Sequence, residues 1–156
     1  LDGIPTLRPI MEAAQALKWP VLTHSNEQVG HDYPGKGRTG PEAVLRLAEA
    51  FPDVRIVCAH WGGGLLFYEL MPEVRGVLRN VCYDTAASPL LYDDRIYRVA
   101  MDIAPEKILF GSDYPLLCPR RYLGRIRAAG LAGNLEKALL GGNAARLFGM
   151  GESDGW

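Results

Sequence analysis

A chain of 156 residues with 48% hydrophobic content has the length of one domain, residues 1–156, and enough apolar material for an ordinary core. Its 17 basic and 18 acidic residues are interspersed and leave a formal charge of -1, which excludes the basic footprint of a nucleic-acid binder. No apolar stretch approaches the roughly 18 residues of a bilayer span, and Leu1-Asp2-Gly3 opens no signal peptide, so we expect a cytoplasmic protein with neither nucleic-acid nor membrane partner.

Pro5 opens a helical stripe of Leu7, Ile10, Met11, Ala14 and Leu17, which Pro20 ends before the apolar run Val21-Leu22-Thr23. A start inside this helix–strand junction predicts that sequence has been lost ahead of Leu1. The loop Ser25 to Gly40 is long and Gly-rich, carries His31, Asp32, Tyr33 and Lys36, and its length marks it as functional or mobile. Thr39 with Glu42 resembles a capping box for a helix reaching about Phe51. A strand then covers Val54 to Ala59, and a helix interrupted at Pro72 covers Leu65 to Arg79. Val81 to Tyr83 reads as the third strand. Asp93 to Ile103 reads as a helix with Ile96, Val99, Ala100 and Ile103 inward, and Ile108 to Phe110 as the fourth strand. Short helices at Arg120–Ala129 and Leu135–Leu140, the second capped by Asn134, precede a closing Asn143–Phe148 segment. Cys58, Cys82 and Cys118 are odd in number and lack CxxC spacing, so reduced thiols are expected rather than a disulfide framework.

His24, His60, Asp84 and Asp113 each end one of the four apolar runs, at separations of 36, 24 and 29 residues. Each separation is about one strand-plus-helix unit. Parallel strands joined by helices place all their C-terminal ends on one rim, where α/β barrels carry their chemistry. Continuously apolar strands belong to sheets covered on both faces. Periodicity alone leaves two architectures open, a doubly wound sheet and part of a (β/α)8 barrel.

Thr23-His24, Ala59-His60-Trp61-Gly62-Gly63, Tyr83-Asp84-Thr85-Ala86, Gly111-Ser112-Asp113-Tyr114-Pro115 and Leu140-Gly141-Gly142-Asn143-Ala144-Ala145-Arg146-Leu147-Phe148, in this order, resemble the amidohydrolase-2 family of metal-dependent hydrolases and decarboxylases. The resemblance covers only the second half of the family's barrel. It implies an α/β fold of parallel units forming strands five to eight of a TIM-type barrel. It further implies that His24 and Asp113 are metal ligands, that Asp113 is also catalytic, and that His60 holds or deprotonates the water at the metal. An imidazole and a carboxylate suit Zn²⁺, with Mn²⁺ as an alternative, and the cation would lower the pKa of bound water toward about 7.

Other residues keep two readings. Asp84 could cap the turn through Thr85 or face the pocket. Trp61 with Gly62, Gly63 and Gly64 could present N–H groups to an anionic substrate or simply turn the chain. His31, Tyr33 and Lys36 could touch substrate or belong to a solvated loop. The family's first strand supplies a His-x-His pair, and no two of the 3 histidines here stand two apart. The metal is therefore expected to be weakly bound or absent in this fragment, which would be inactive until an N-terminal half, a partner chain or a second copy closes the barrel. The expected function is a hydrolase or decarboxylase fragment acting on a small carboxylated or cyclic substrate. A non-catalytic binding or assembly module and a doubly wound small-molecule-binding domain are the alternatives.

Overall fold

Four short apolar segments pair side by side as one parallel sheet: β1 (Val21–Thr23), β2 (Ile56–Cys58), β3 (Val81–Asp84) and β4 (Ile108–Leu109). Val21 sits beside Ile56, Ile56 beside Val81 and Tyr83 beside Ile108, so spatial order follows chain order. Such an order has no reversal and no topological switch point, which favours barrel-type winding over a doubly wound sheet. The computed structural model describes residues 3–30, 32–34 and 36–150, and the substrate candidate His31 lies outside them.

The helices are α1 (Ile4–Leu17), α2 (Pro41–Ala50), α3 (Pro72–Arg75), α4 (Ser88–Leu91), α5 (Ile96–Ile103), α6 (Pro119–Ala128), α7 (Gly133–Lys137) and α8 (Asn143–Phe148). Of these, α1, α2, α5 and α6 cover one face of the sheet, where Ile56, Cys58, Val81, Tyr83 and Ile108 join Val44, Leu47, Leu65, Leu66 and Tyr97 in the main core. The other face carries a small cluster of Val57, Leu109 and Leu147, backed by Cys82 and Ala144. Leu22 lies along this second face and is 67% exposed, beside an apolar groove of about 200 Å³. The asymmetry is that of a barrel wall, with one side packed by several helices and the other, touched only by α8 among these helices, turned toward an interior. Asn143 fixes the closing segment: its buried amide donates to Pro105 O at 2.8 Å and Ile108 O at 2.6 Å, fastening α8 to the strand before the site.

Several local expectations are corrected. The region after β2 is not an α-helix but 3₁₀ turns at His60–Leu70 and Val77–Asn80 around α3, because His60 through Gly64 all have positive φ. No capping box forms at Thr39: Gly40 is the N-cap of α2, and Thr39 N–H is held instead by Asn26 Oδ1 at 3.1 Å. Asn134 lies inside α7, whose N-cap is Ala132, and the turn after it is a π-type segment at Ala138–Gly142. On α5 the buried face is rotated toward Tyr97 and Met101, leaving Val99 40% exposed, since the two large side chains fill the core better than the branched one. In α1 the inward line is Ile4, Leu7, Met11 and Ala14, with Ile10 and Leu17 on the exposed flank. Cys58 is buried, Cys82 half-buried and Cys118 exposed, and all three thiols are free.

Candidate active site

The C-terminal ends of the strands converge as the spacing predicts. His24 follows β1 directly, and its ring meets that of His60 edge to face, with centroids 4.9 Å apart and planes at 71°. Both rings line a cavity of about 320 Å³ with Asp113, Ser25, Glu27 and Tyr33, closed on its apolar side by Ala87, Leu90, Leu91 and Leu116. Residues 89 positions apart in the chain are thus brought to one wall, from His24 to Asp113.

Backbone strain is concentrated here. Among the described residues five non-glycines have positive φ, and three of them line the cavity: His60 at 58°, Ala87 at 54° and Asp113 at 60°. Each such conformation costs roughly 1–2 kcal/mol for a residue with a β-carbon, so it persists only where surrounding contacts impose it. For His60 those contacts come from the turn after β3. Its N–H donates to Asp84 Oδ1 at 2.9 Å, and its Nδ1 faces the carbonyl of Ala86 at 3.0 Å. Next to it, Trp61 Nε1 donates to Ser88 Oγ at 2.9 Å. On the other side of the same turn, Thr85 Oγ1 donates to Gly111 O at 2.9 Å and accepts Gly111 N–H at 3.0 Å, steadying the strand end that leads to Asp113.

Partial burial lowers the pKa of His24; the nearby His60 ring adds to that direction, while Asp113 and Glu27 oppose it. The neutral imidazole, the form that can ligate a cation, is thereby favoured. Burial pushes the Asp84 carboxyl above its ordinary value, against the hydrogen bonds from His60 and Ala86 N–H that favour its charge. Burial likewise raises the Tyr92 phenol, reinforced by the negative charge of the nearby Glu27.

Of the residues singled out from sequence, His24, His60, Asp113 and Tyr33 meet in the cavity. Trp61 is fully buried and Asp84 is 7% exposed, and neither lines it. Lys36 is turned to the loop backbone, where its Nζ donates to Val29 O at 3.3 Å. The glycines after Trp61 form a left-handed turn, with Gly63 at φ 61° against the Asn26 backbone. Ser25, Glu27, Leu90 and Leu91 were not anticipated. The signal for the first two was their place one and three residues beyond a strand-end histidine.

Two of these supply a test of fit for a bound group. Ser25 Oγ and Glu27 Oε1 are buried in the cavity wall without hydrogen-bond partners among the described residues, which leaves both able to meet a bound group. The imidazole of His24 and the carboxylate of Asp113 fit a divalent cation in kind. In number the donors fall short: among the described residues no three His, Cys, Asp or Glu side chains form a metal-binding group.

Sequential parallel strands and a histidine–carboxylate cavity at their C-terminal ends define half of a β/α-barrel rim. The chain belongs to the amidohydrolase-2 family, whose amidohydrolase model matches residues 1–150. Among solved structures it is similar to 5-carboxyvanillate decarboxylase from Sphingomonas paucimobilis, with a TM-score of 0.74 and 20% identity over 94% of this chain and 54% of that one. It is also similar to 2,6-dihydroxybenzoate decarboxylase from Rhizobium, with a TM-score of 0.72 and 20% identity over 97% and 57% of the two chains. A dihydroxybenzoic acid decarboxylase from Polaromonas sp. JS666, solved with manganese and the inhibitor 2-nitroresorcinol, gives 0.71 and 20% over 94% and 54%. At these identities the likeness carries the fold. The chain spans about half the length of the structures it matches. No curated protein matches the sequence. Among the described residues, no helix is long and apolar enough to cross a membrane.

Proposed function

We propose that this chain is a single unit, the C-terminal half-barrel of a metal-dependent hydrolase or decarboxylase, acting on a small carboxylated or cyclic substrate once the rest of the barrel is present. The observation that carries the reading is the meeting of His24, His60 and Asp113 on one cavity of about 320 Å³. That volume is at the small end of ligand sites. Among the lining residues Leu90, Leu91 and Leu116 suit one apolar ring, and Ser25, Glu27 and Tyr33 are available to its polar substituents. The decarboxylases among the similar structures support a carboxylated ring as the first substrate class to test.

In this proposal His24 and Asp113 would hold the cation, Zn²⁺ or Mn²⁺, with remaining ligands from outside this chain. When bound, the cation supplies charge stabilisation and acidifies water. Asp113, exposed and in a left-handed turn, presents its carboxylate at the mouth of the cavity. His60 donates Nδ1–H to Ala86 O, which leaves its Nε2 lone pair to move a proton. In hydrolysis Nε2 takes a proton from the attacking water and returns it to the leaving group; in decarboxylation Nε2, first protonated from solvent, gives that proton to the carbon as its bond to CO2 breaks.

The test is a barrel completed with its N-terminal half, assayed for CO2 release and for hydrolysis on a panel of hydroxylated aromatic carboxylates, with metal content measured alongside. His60→Ala is expected to lose about 10²–10⁴-fold in kcat. His24→Ala and Asp113→Ala are expected to lose metal as well as activity. Full activity after His60→Ala or Asp113→Ala would refute the mechanism.

A further inference from the structure

We propose that Asp84 is a positioning residue: through the turn after β3 it fixes the tautomer of His60 and never touches substrate. The inference rests on the reading of His60 as the proton-transfer residue. Its geometry is independent of that reading.

One carboxylate oxygen holds two peptides. Asp84 Oδ1 accepts His60 N–H at 2.9 Å and Ala86 N–H at 3.0 Å. The first bond secures a backbone at φ 58° that a residue with a β-carbon does not adopt unaided. The second fixes the turn whose next group, the Ala86 carbonyl, stands 3.0 Å from His60 Nδ1. A carbonyl oxygen only accepts, so the neutral ring must carry its proton on Nδ1 and keep its lone pair on Nε2. Every alternate residue of the turn takes part, since Ser88 Oγ accepts Trp61 Nε1–H at 2.9 Å and anchors the residue after His60. Asp84 itself is 7% exposed and lines not the His24–His60–Asp113 cavity but the apolar groove beside Leu22, while the oxygen that reaches toward the site is taken up by His60 and Ala86 N–H, so its route to that cavity runs through His60. The arrangement has the logic of a metal-site or triad imidazole oriented by its second hydrogen bond, except that here a backbone carbonyl orients the ring and a carboxylate orients the carbonyl.

The tautomer is read directly by long-range ¹H–¹⁵N correlation on the uniformly ¹⁵N-labelled protein at a pH where the ring is neutral. The 3 histidines are assigned from His24→Gln, His31→Gln and His60→Gln variants. Wild-type His60 is expected in the Nδ1–H form. Asp84→Asn keeps an oxygen acceptor and should keep that form, whereas Asp84→Ala should lose it. An Nε2–H pattern for His60 in the wild type overturns the proposal, as does its Nδ1–H pattern surviving in Asp84→Ala. If Asp84→Ala does not fold, the wild type and a folded Asp84→Asn still decide: loss of the Nδ1–H form in the latter is a refutation. In the completed barrel, Asp84→Ala should lower kcat by about 10–100-fold with KM little changed, and Asp84→Asn should restore most of it. A raised KM with unchanged kcat would instead mark Asp84 as a substrate contact. An enzyme that works without His60 would remove the proton-transfer reading while leaving the tautomer result intact, so the two failures are separable.

Discussion

Replacing Gly63 by alanine tests whether the left-handed turn after β2 sets the distance between the two histidines. Gly63 has φ 61°, and a β-carbon added there would lie 2.5 Å from Asn26 O and 2.7 Å from Asn26 C. Asn26 has little room to retreat. It is 1% exposed, its N–H donates to Thr39 O at 2.9 Å, and its side chain donates to Gly37 O at 2.9 Å and accepts Thr39 N–H at 3.1 Å. Gly64 is the matched control, with φ 94° and nothing nearer its added β-carbon than Tyr92 Oη at 3.9 Å. Both variants carry the left-handed penalty of roughly 1–2 kcal/mol. Only Gly63→Ala adds a backbone clash, for which overpacking costs of about 1–3 kcal/mol apply. The expected losses are thus about 1–2 kcal/mol for Gly64→Ala and about 2–5 kcal/mol for Gly63→Ala. At about 2–4 °C per kcal/mol for a chain of this size, thermal melts followed by circular dichroism should separate the two by several degrees. Asn26 stands two residues beyond His24, so the completed enzyme should lose more activity in Gly63→Ala than in Gly64→Ala. Equal melting losses, or a larger loss in Gly64→Ala, would show that this close approach does not constrain the site.

Two further predictions concern buried charge. Glu69 is 5% exposed and accepts from Lys107 Nζ at 2.8 Å and Tyr83 Oη at 2.9 Å, so Lys107→Met should leave its carboxylate without a cation and cost about 3 kcal/mol. Adding Glu69→Gln should recover much of that loss in urea denaturation; a double variant worse than Lys107→Met would refute it. Burial raises the folded-state pKa of Asp84, so its contribution to stability is present below the unfolded value of about 3.9 and is lost as pH rises through the folded value. Asp84→Asn does not titrate. Its stability relative to wild type should therefore climb across that window and then level off, and a difference that stays flat or falls with rising pH would contradict the assigned direction.

The rim was legible in the sequence because it depends on chain-order regularities: apolar runs, their spacing and a polar residue at each end. His24, His60 and Asp113 needed no more than parallel winding to meet. What escaped was set by backbone geometry. Five consecutive left-handed residues from His60 to Gly64 follow no hydrophobic period, so Leu65 reads as the start of a helix to Arg79 where the chain instead forms 3₁₀ turns around α3. Leu90 and Leu91 reach the cavity from α4, four residues long and too short to give a periodic signal. The partner of His60 Nδ1 is a main-chain carbonyl, and a carbonyl leaves no mark on residue identity; any residue at position 86 would offer one. Asp84 was visible but ambiguous between cap and pocket residue. Its hydrogen bond to Ala86 N–H, two residues on, is the local turn that a strand-end aspartate suggests, and the bond to His60 N–H is long-range and becomes apparent only in three dimensions. The same oxygen makes both, so capping a turn and orienting a functional imidazole are one interaction at this position.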